Sequence, residues 1–234
     1  ELGSGDGTLA QDVVDYARLL GGDFSETLNY TEFDRSTSDP SDLPVGITGC
    51  VVSNELLDAF PVHRFLVDGK AILELYVGVE NGVLVESAGP VSSPEITERI
   101  APFVSDLPDG YRGEVNLGLR AWADRVAVIL ERGYVLTIDY GETAPELYRP
   151  GRSEGSLRAY YRHTLSQNPF QHVGDQDLTA HVDFSAVDVE LERTGFEALG
   201  MTTQTAFLDR LGIRSLLASL TGLGLSASEV DRNR

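Results

Sequence analysis

Cysteine is nearly absent, Cys50 being the only one in 234 residues. A disulfide framework needs pairs, and a cysteine-rich zinc site needs several thiolates, so both are excluded. Cys50 falls in the apolar run 47–52 and is expected to be a buried small hydrophobe rather than a nucleophile. Lysine is as scarce, with Lys70 alone. Lys and Arg together number 18 against 37 Asp and Glu, a net charge of −19. Holding a phosphate backbone takes clustered cations, so nucleic acid is not expected as a partner. Such an acidic surface either serves solubility or draws in a cationic substrate. No run of ~18 apolar residues exists, so no membrane span is expected. No basic and apolar leader is visible, and the setting expected is cytoplasmic.

What remains is an ordinary globular composition, 41% hydrophobic and 24% charged, long enough for one large domain or one domain plus a small appendage. Apolar residues recur at helical spacing over 9–20 and stop at Gly21-Gly22. A short strand over 28–31 ends on Glu32, and 34–46 reads as loop. Residues 47–53 form a continuous apolar strand of the kind buried in a parallel sheet. Runs over 62–67, 71–77 and 83–85 alternate around Asp68-Gly69 and Asn81-Gly82. They predict an antiparallel β-hairpin insertion within 62–86. Helices are expected over 94–103 and 117–132, the latter ended by Gly133, then a strand over 134–138. A further strand follows over 157–161, and a helix over 184–194 with Asp183 as its N-cap. Helices close the pattern over 204–211 and 215–220. Strands alternating with helices predict an α/β domain with a mainly parallel sheet, whose ligands bind beyond the carboxyl ends of the strands.

The polar residues follow that rule. Gly3-x-Gly5-x-Gly7 runs into the first helix, where glycines permit tight turns and close ligand approach and the helix start offers free N–H groups. The spacing is neither that of a dinucleotide fold nor that of a P-loop. Asp6 would repel a pyrophosphate, and a sulfonium cofactor with an amino-acid tail suits the loop better. Glu32 can accept both hydroxyls of a ribose; otherwise it is a surface acid at a strand end. Asn54 and Glu55 follow the 47–53 strand, and one helical turn would bring Asp58 beside Glu55. Two convergent carboxylates can clamp a guanidinium and accept its proton, while the plainer reading is an acidic helix start. Asp139 and Tyr140 follow the 134–138 strand and are expected to bind substrate. His181 and Asp183 would line a substrate mouth, or else form a cap beside a structural histidine. His63 reads as structural, His163 and His172 lie in loops without ligand spacing, and no metal is expected. No Gly-x-Ser-x-Gly elbow appears, which disfavours a serine hydrolase.

Six segments, ELGSGDGTL (1–9), SNELLDAFPVHRF (53–65), GYVLTIDYG (133–141), GSLRAYYRHT (155–164), DLTAHVDFS (177–185) and TQTAFLDRLGI (203–213), cover nearly the whole chain. In this order they resemble the MidA-like family of S-adenosyl-L-methionine-dependent methyltransferases. The resemblance implies a Rossmann-like class I methyltransferase fold over 1–234, incomplete at both ends, with S-adenosyl-L-methionine as cofactor. It places Glu1, Gly3, Gly5, Gly7, Glu32 and Asn54 at the cofactor, and Glu55 and Asp58 at the methyl donor and acceptor. In the family's mitochondrial branch it implies dimethylation of an arginine on a respiratory-complex subunit, hence a protein substrate and, in a eukaryote, a mitochondrial setting. Family members usually carry Pro and Arg where this chain has Ser4 and Asp6. Two alternatives stay open on the same fold: methyl transfer to a small molecule or another side chain, and a non-catalytic assembly factor.

Overall fold

The computed structural model describes residues 1–162, 164–166 and 168–222, so His163 lies outside the described residues. The chain forms two compact units, 1–197 and 198–234. In the first, Leu2 bridges in parallel to Phe33 on one side and Ser53 on the other. Leu2 N–H donates to Val52 O at 2.9 Å, and Gly3 N–H to Phe33 O at 2.8 Å. No strand forms over 28–31; the pairing falls instead on Phe33, which bridges to Leu2. Helix α1 (Thr8–Leu20) ends at Gly21, as its sequence predicts, and α2 (Gly22–Thr27) follows directly.

Residues 47–138 supply β1 (Ile47–Asn54), β2 (His63–Asp68), β3 (Ala71–Glu80), β4 (Val83–Gly89), α3 (Pro94–Ile100), β5 (Arg112–Val115), α4 (Gly118–Ile129) and β6 (Leu130–Ile138). β1 and β6 pair in parallel over their whole length, so Phe33, Leu2, β1 and β6 lie side by side in one parallel layer. One face of that layer is covered by Leu119, Trp122, Val126 and Ile129 of α4. Burying each such side chain contributes about 1.5–3 kcal/mol.

Two expectations fail here. Cys50 is exposed, because in β1 it points away from the face that α4 covers. The helix expected to run to Arg132 stops at Ile129, and β6 starts at once on Leu130. Gly133 does not end the helix. It lies inside β6, opposite Gly49 of β1, where the two backbones approach closely.

The alternating runs form an antiparallel sheet in the order β4-β3-β2-β5. The hairpin turns fall where Asp68-Gly69 and Asn81-Gly82 predict them. The sheet has its own core, in which Phe65, Val67, Val115 and Tyr111 meet Ile96 and Ile100 of α3. Glu74 is buried at its rim. Burial raises its carboxyl, but hydrogen bonds from His63 Nδ1 (2.7 Å), Ser92 N–H and Tyr76 O–H (3.1 Å) outweigh this and hold it at about 2 against an ordinary 4.5. A depressed carboxyl stabilises the fold above its unfolded value, and the contribution is lost as pH falls through the folded one. Between pH 4.5 and 2 the wild-type chain is therefore expected to lose stability that Glu74→Gln lacks at the outset. Urea unfolding of both chains across that range checks this. Parallel curves with a constant offset would contradict it.

Beyond β6 come β7 (Gly141–Glu142), α5 (Ala144–Leu147), β8 (Arg158–Tyr161), β9 (Thr164–Ser166), β10 (Asp177–Thr179), β11 (Val182–Asp183) and α6 (Phe184–Arg193). β8 is flanked by β10 and β9 in a small antiparallel sheet, and β11 pairs in parallel with β7. Asp183 caps α6 as the sequence predicts, accepting Ala186 N–H at 3.1 Å. Two buried residues of α6, Ala186 and Val187, join the core beneath the parallel layer. The second unit contains α7 (Gln204–Arg210), capped by Thr203, and α8 (Ile213–Gly222), in agreement with the helical periodicity. No helix among the described residues is long and apolar enough to cross a membrane.

Candidate active site

Two groups of residues meet beyond the carboxyl ends of the parallel strands. The first is the glycine loop. Gly3, Gly5 and Gly7 all have positive φ, and Gly7 is the left-handed N-cap of α1. A Cβ on Gly7 would lie 2.6 Å from Glu32 Oε1, so the Glu32 carboxylate sits directly against the loop. It is exposed and makes no hydrogen bond or ion pair among the described residues, which leaves it open to a ligand's hydroxyls. The Asp6 carboxylate accepts Thr8 N–H at 3.0 Å, and hydrogen bonding from the Thr8 side chain, then from this N–H, lowers its pKa. Asp34 accepts Gly5 N–H at 3.2 Å. Glu1 turns elsewhere: its carboxylate takes the Tyr30 hydroxyl at 2.8 Å. Gly7→Ala would force both a left-handed alanine and a displaced Glu32, at about 1–2 kcal/mol for the backbone alone. At least a tenfold loss of S-adenosylhomocysteine affinity is expected by calorimetry. Unchanged affinity would show that the loop is not the binding element.

The second group lies at the ends of β1 and β6. A Cβ on Gly3 would touch Leu56 at 2.8 Å, so the glycine loop abuts the segment after β1. That segment is a turn and not the first turn of a helix. Glu55 occupies the left-handed region at φ 49°, held there by its N–H to Ile138 O at 2.9 Å. A non-glycine residue in that conformation is strained, and such strain gathers at functional sites. Asn54 and Glu55 are exposed, whereas Asp58 is 3% exposed and its Oδ1 has no hydrogen-bond partner.

Asp139 holds this turn in place. Its Oδ2 accepts Leu57 N–H at 2.9 Å and Asp58 N–H at 3.3 Å, and its Oδ1 accepts Tyr140 N–H at 2.9 Å. Burial, then the neighbouring Asp58 charge, push its pKa up to about 6, against the lowering effect of those hydrogen bonds. The Tyr140 hydroxyl is raised above its ordinary value by burial, then by hydrogen bonding to the Asp58 side chain and by the Asp58, Glu55 and Asp139 charges. Asp58 and Glu55 are therefore joined at Tyr140 through a turn, where the sequence spacing pointed to a helix face.

His181 faces Tyr140, their ring centroids 6.2 Å apart. Its Nδ1 lies 3.3 Å from Arg152, which is also paired with Glu142 at 2.7 Å. Burial, then Arg152, disfavour its protonation. Asp183 is 9% exposed and serves as the α6 cap, the plainer of its two readings. Sequence reasoning missed Arg152, Glu142 and Ser156. The only signal for any of them was the GSLRAYYRHT segment around Ser156. No group of three or more His, Cys, Asp or Glu that could hold a metal ion occurs among the described residues.

Comparisons with known proteins identify the family of the chain. A family model for S-adenosyl-L-methionine-dependent methyltransferases matches residues 33–202. The chain is 30% identical over 198 residues to the mitochondrial "Protein arginine methyltransferase NDUFAF7 homolog" of Drosophila melanogaster, covering 80% of this chain and 42% of that one. It is 30% identical over 184 residues to the Caenorhabditis elegans protein of the same name, covering 76% and 41%. A crystal structure from Burkholderia thailandensis, bound to S-adenosyl-homocysteine, superposes with a TM-score of 0.80 at 30% identity, covering 98% of this chain and 62% of that one. The chain thus spans less than half the length of these curated relatives. The family model covers well over half of the chain, and the chain belongs to the MidA-like family of S-adenosyl-L-methionine-dependent methyltransferases.

Proposed function

We propose that this chain carries the transfer site of a protein arginine methyltransferase, on a Rossmann-like class I fold with residues 62–86 as an antiparallel insertion. The observation that carries the reading is the buried, unpartnered Oδ1 of Asp58, beside Glu55 and Tyr140 and adjoining the glycine loop. The chemistry of the loop fits S-adenosyl-L-methionine. Gly3, Gly5 and Gly7 leave room for its backbone contacts, Glu32 stands ready for the ribose hydroxyls, and nearby acids suit a sulfonium. Bound there, the cofactor supplies an electrophilic methyl group.

The residues of the chain do the rest. Asp58 and Glu55 would hold and orient a guanidinium, and much of the rate would come from that positioning. One of the two carboxylates would accept the proton that the guanidinium nitrogen gives up. Asp139 keeps the turn rigid, and Tyr140 and His181 form the wall opposite. The names of the two curated relatives support a protein substrate and, for a eukaryotic source, a mitochondrial setting.

The test is a methyl-donor assay on arginine-containing peptides and their lysine counterparts, beside calorimetry with S-adenosylhomocysteine. Glu55→Gln is expected to lower arginine methylation at least 100-fold with cofactor affinity kept within about twofold. Equal transfer to the lysine peptides would remove the arginine assignment. Absent cofactor binding would favour a non-catalytic assembly role.

A further inference from the structure

Glu114 of β5 is 7% exposed and is the buried end of a half-buried ionic chain outside the residues already assigned. Glu86 of β4 pairs with Arg64 of β2, and with Arg112 of β5 at 2.8 Å. Arg64 Nε lies 3.6 Å from Glu114 Oε1. The other Glu114 oxygen, Oε2, accepts both Ser156 N–H at 2.7 Å and Ser156 Oγ–H at 3.0 Å. Ser156 Oγ in turn accepts the N–H of His181 at 3.0 Å. Next along the chain, Ala180 N–H donates to Asp58 O at 3.0 Å. Residues 180 and 181 are thus pinned at two points, one on the acceptor turn and one on Ser156, which Glu114 of the antiparallel sheet holds. A carboxylate is costly to bury unless cations and donors compensate it, so a buried glutamate spending both Oε2 bonds on one serine marks a fixed connection.

We propose that Glu114 is a positioning residue of the transfer site, acting through Ser156 on His181 and so on the wall that faces Tyr140 and Asp58. The antiparallel sheet then does more than decorate the fold. It sets the distance between the two sides of the acceptor pocket. This rests on reading Asp58 and Tyr140 as the acceptor side, but its test does not depend on methyl transfer.

The readout is the imidazole C–H resonances of the full chain, which has 4 histidines, with His181 assigned by His181→Gln. His181 is surrounded by Arg152, Glu142, Arg158 and Glu114, and it titrates below the ordinary 6.5. Ser156→Ala removes only a hydroxyl and releases the His181 backbone. Its titration is expected to move by roughly half a pH unit or more, with altered chemical shift, while the other described histidines stay put. Glu114→Ala is expected to reproduce that change. Glu114→Gln, which keeps an acceptor for Ser156, is expected to shift it less. Calorimetry with S-adenosylhomocysteine is expected to give affinities within about twofold for all variants. A His181 resonance and titration unchanged in Ser156→Ala overturns the proposal, whether or not Glu114→Ala folds. Loss of cofactor binding in the wild type would sink the methyltransferase reading instead, and leave the His181 result to decide this one.

Discussion

Gly133→Ala is expected to cost at least about 4 kcal/mol of stability, a large part of the roughly 5–15 kcal/mol that keeps a typical domain folded. A Cβ at this position would overlap the carbonyl oxygen of Gly49 and sit 2.8 Å from its carbon and 3.0 Å from its nitrogen. These are backbone atoms of the paired strand, so no side-chain rotation relieves the overlap. The strands β1 and β6 would have to part, and their ladder is the centre of the parallel layer. The φ of 139° adds a conformation that L residues rarely adopt. Gly49 itself is the control. It faces Gly133 in the register, yet a Cβ on Gly49 would meet nothing within 4 Å. Gly49→Ala is therefore expected to change stability by less than about 1 kcal/mol in either direction. Urea unfolding of the two alanine variants separates the cases, and equal midpoints would mean that the strands do not approach as closely at Gly133 as described.

Gly133 also shows where the sequence could and could not be read. A glycine after an amphipathic helix predicts a C-cap, and helical periodicity over 117–132 gave no sign that the last turn was already strand. The helix stops at Ile129 because residues 130–138 are drawn into pairing with β1, a tertiary demand that local spacing does not carry. Cys50 fails for a related reason. A continuous apolar run looks like a strand buried on both faces, but β1 is covered on one face only among the described residues. Where the local signal and the tertiary role coincide, the reading holds. Asp183 caps α6, Gly21 ends α1, and the hairpins turn at Asp68-Gly69 and Asn81-Gly82. The site was legible as a set of strand ends and not as a geometry. Strand-to-acid transitions pointed to Glu32, Asn54, Glu55 and Asp139. That Asp139 would brace a turn, and that Ser156 would reach His181, depends on pairs 82 and 25 residues apart.

Asp58→Asn is expected to lower methyl transfer by at least 100-fold, about 3 kcal/mol, while making the fold no less stable. The two effects follow from one fact. A carboxylate 3% exposed, with one oxygen unpartnered and a second carboxylate near it, is an unfavourable element in a folded interior. Its backbone bonds, to Asp139 and from Ala180, do not depend on the side chain and survive the change. Asparagine keeps the shape and removes the charge, so the cost of burying a second anion beside Asp139 falls away. The expected gain is about 1 kcal/mol, of the kind seen when a functional site trades stability for activity. The sign at Asp139 can be checked separately. Its folded pKa is raised to about 6 from an ordinary 3.8, so its ionisation lowers stability as pH rises through that window. Burial is the larger cause and remains, but without the Asp58 charge the Asp139 titration is expected to move down and the loss of stability to shrink. Carboxyl carbon titration by NMR and urea unfolding at pH 4 and 7 measure both. If Asp58→Asn were less stable than the wild type and still transferred methyl groups, Asp58 would be a structural acid satisfied by its surroundings, and the acceptor side of the site would have to be sought at Glu55 alone.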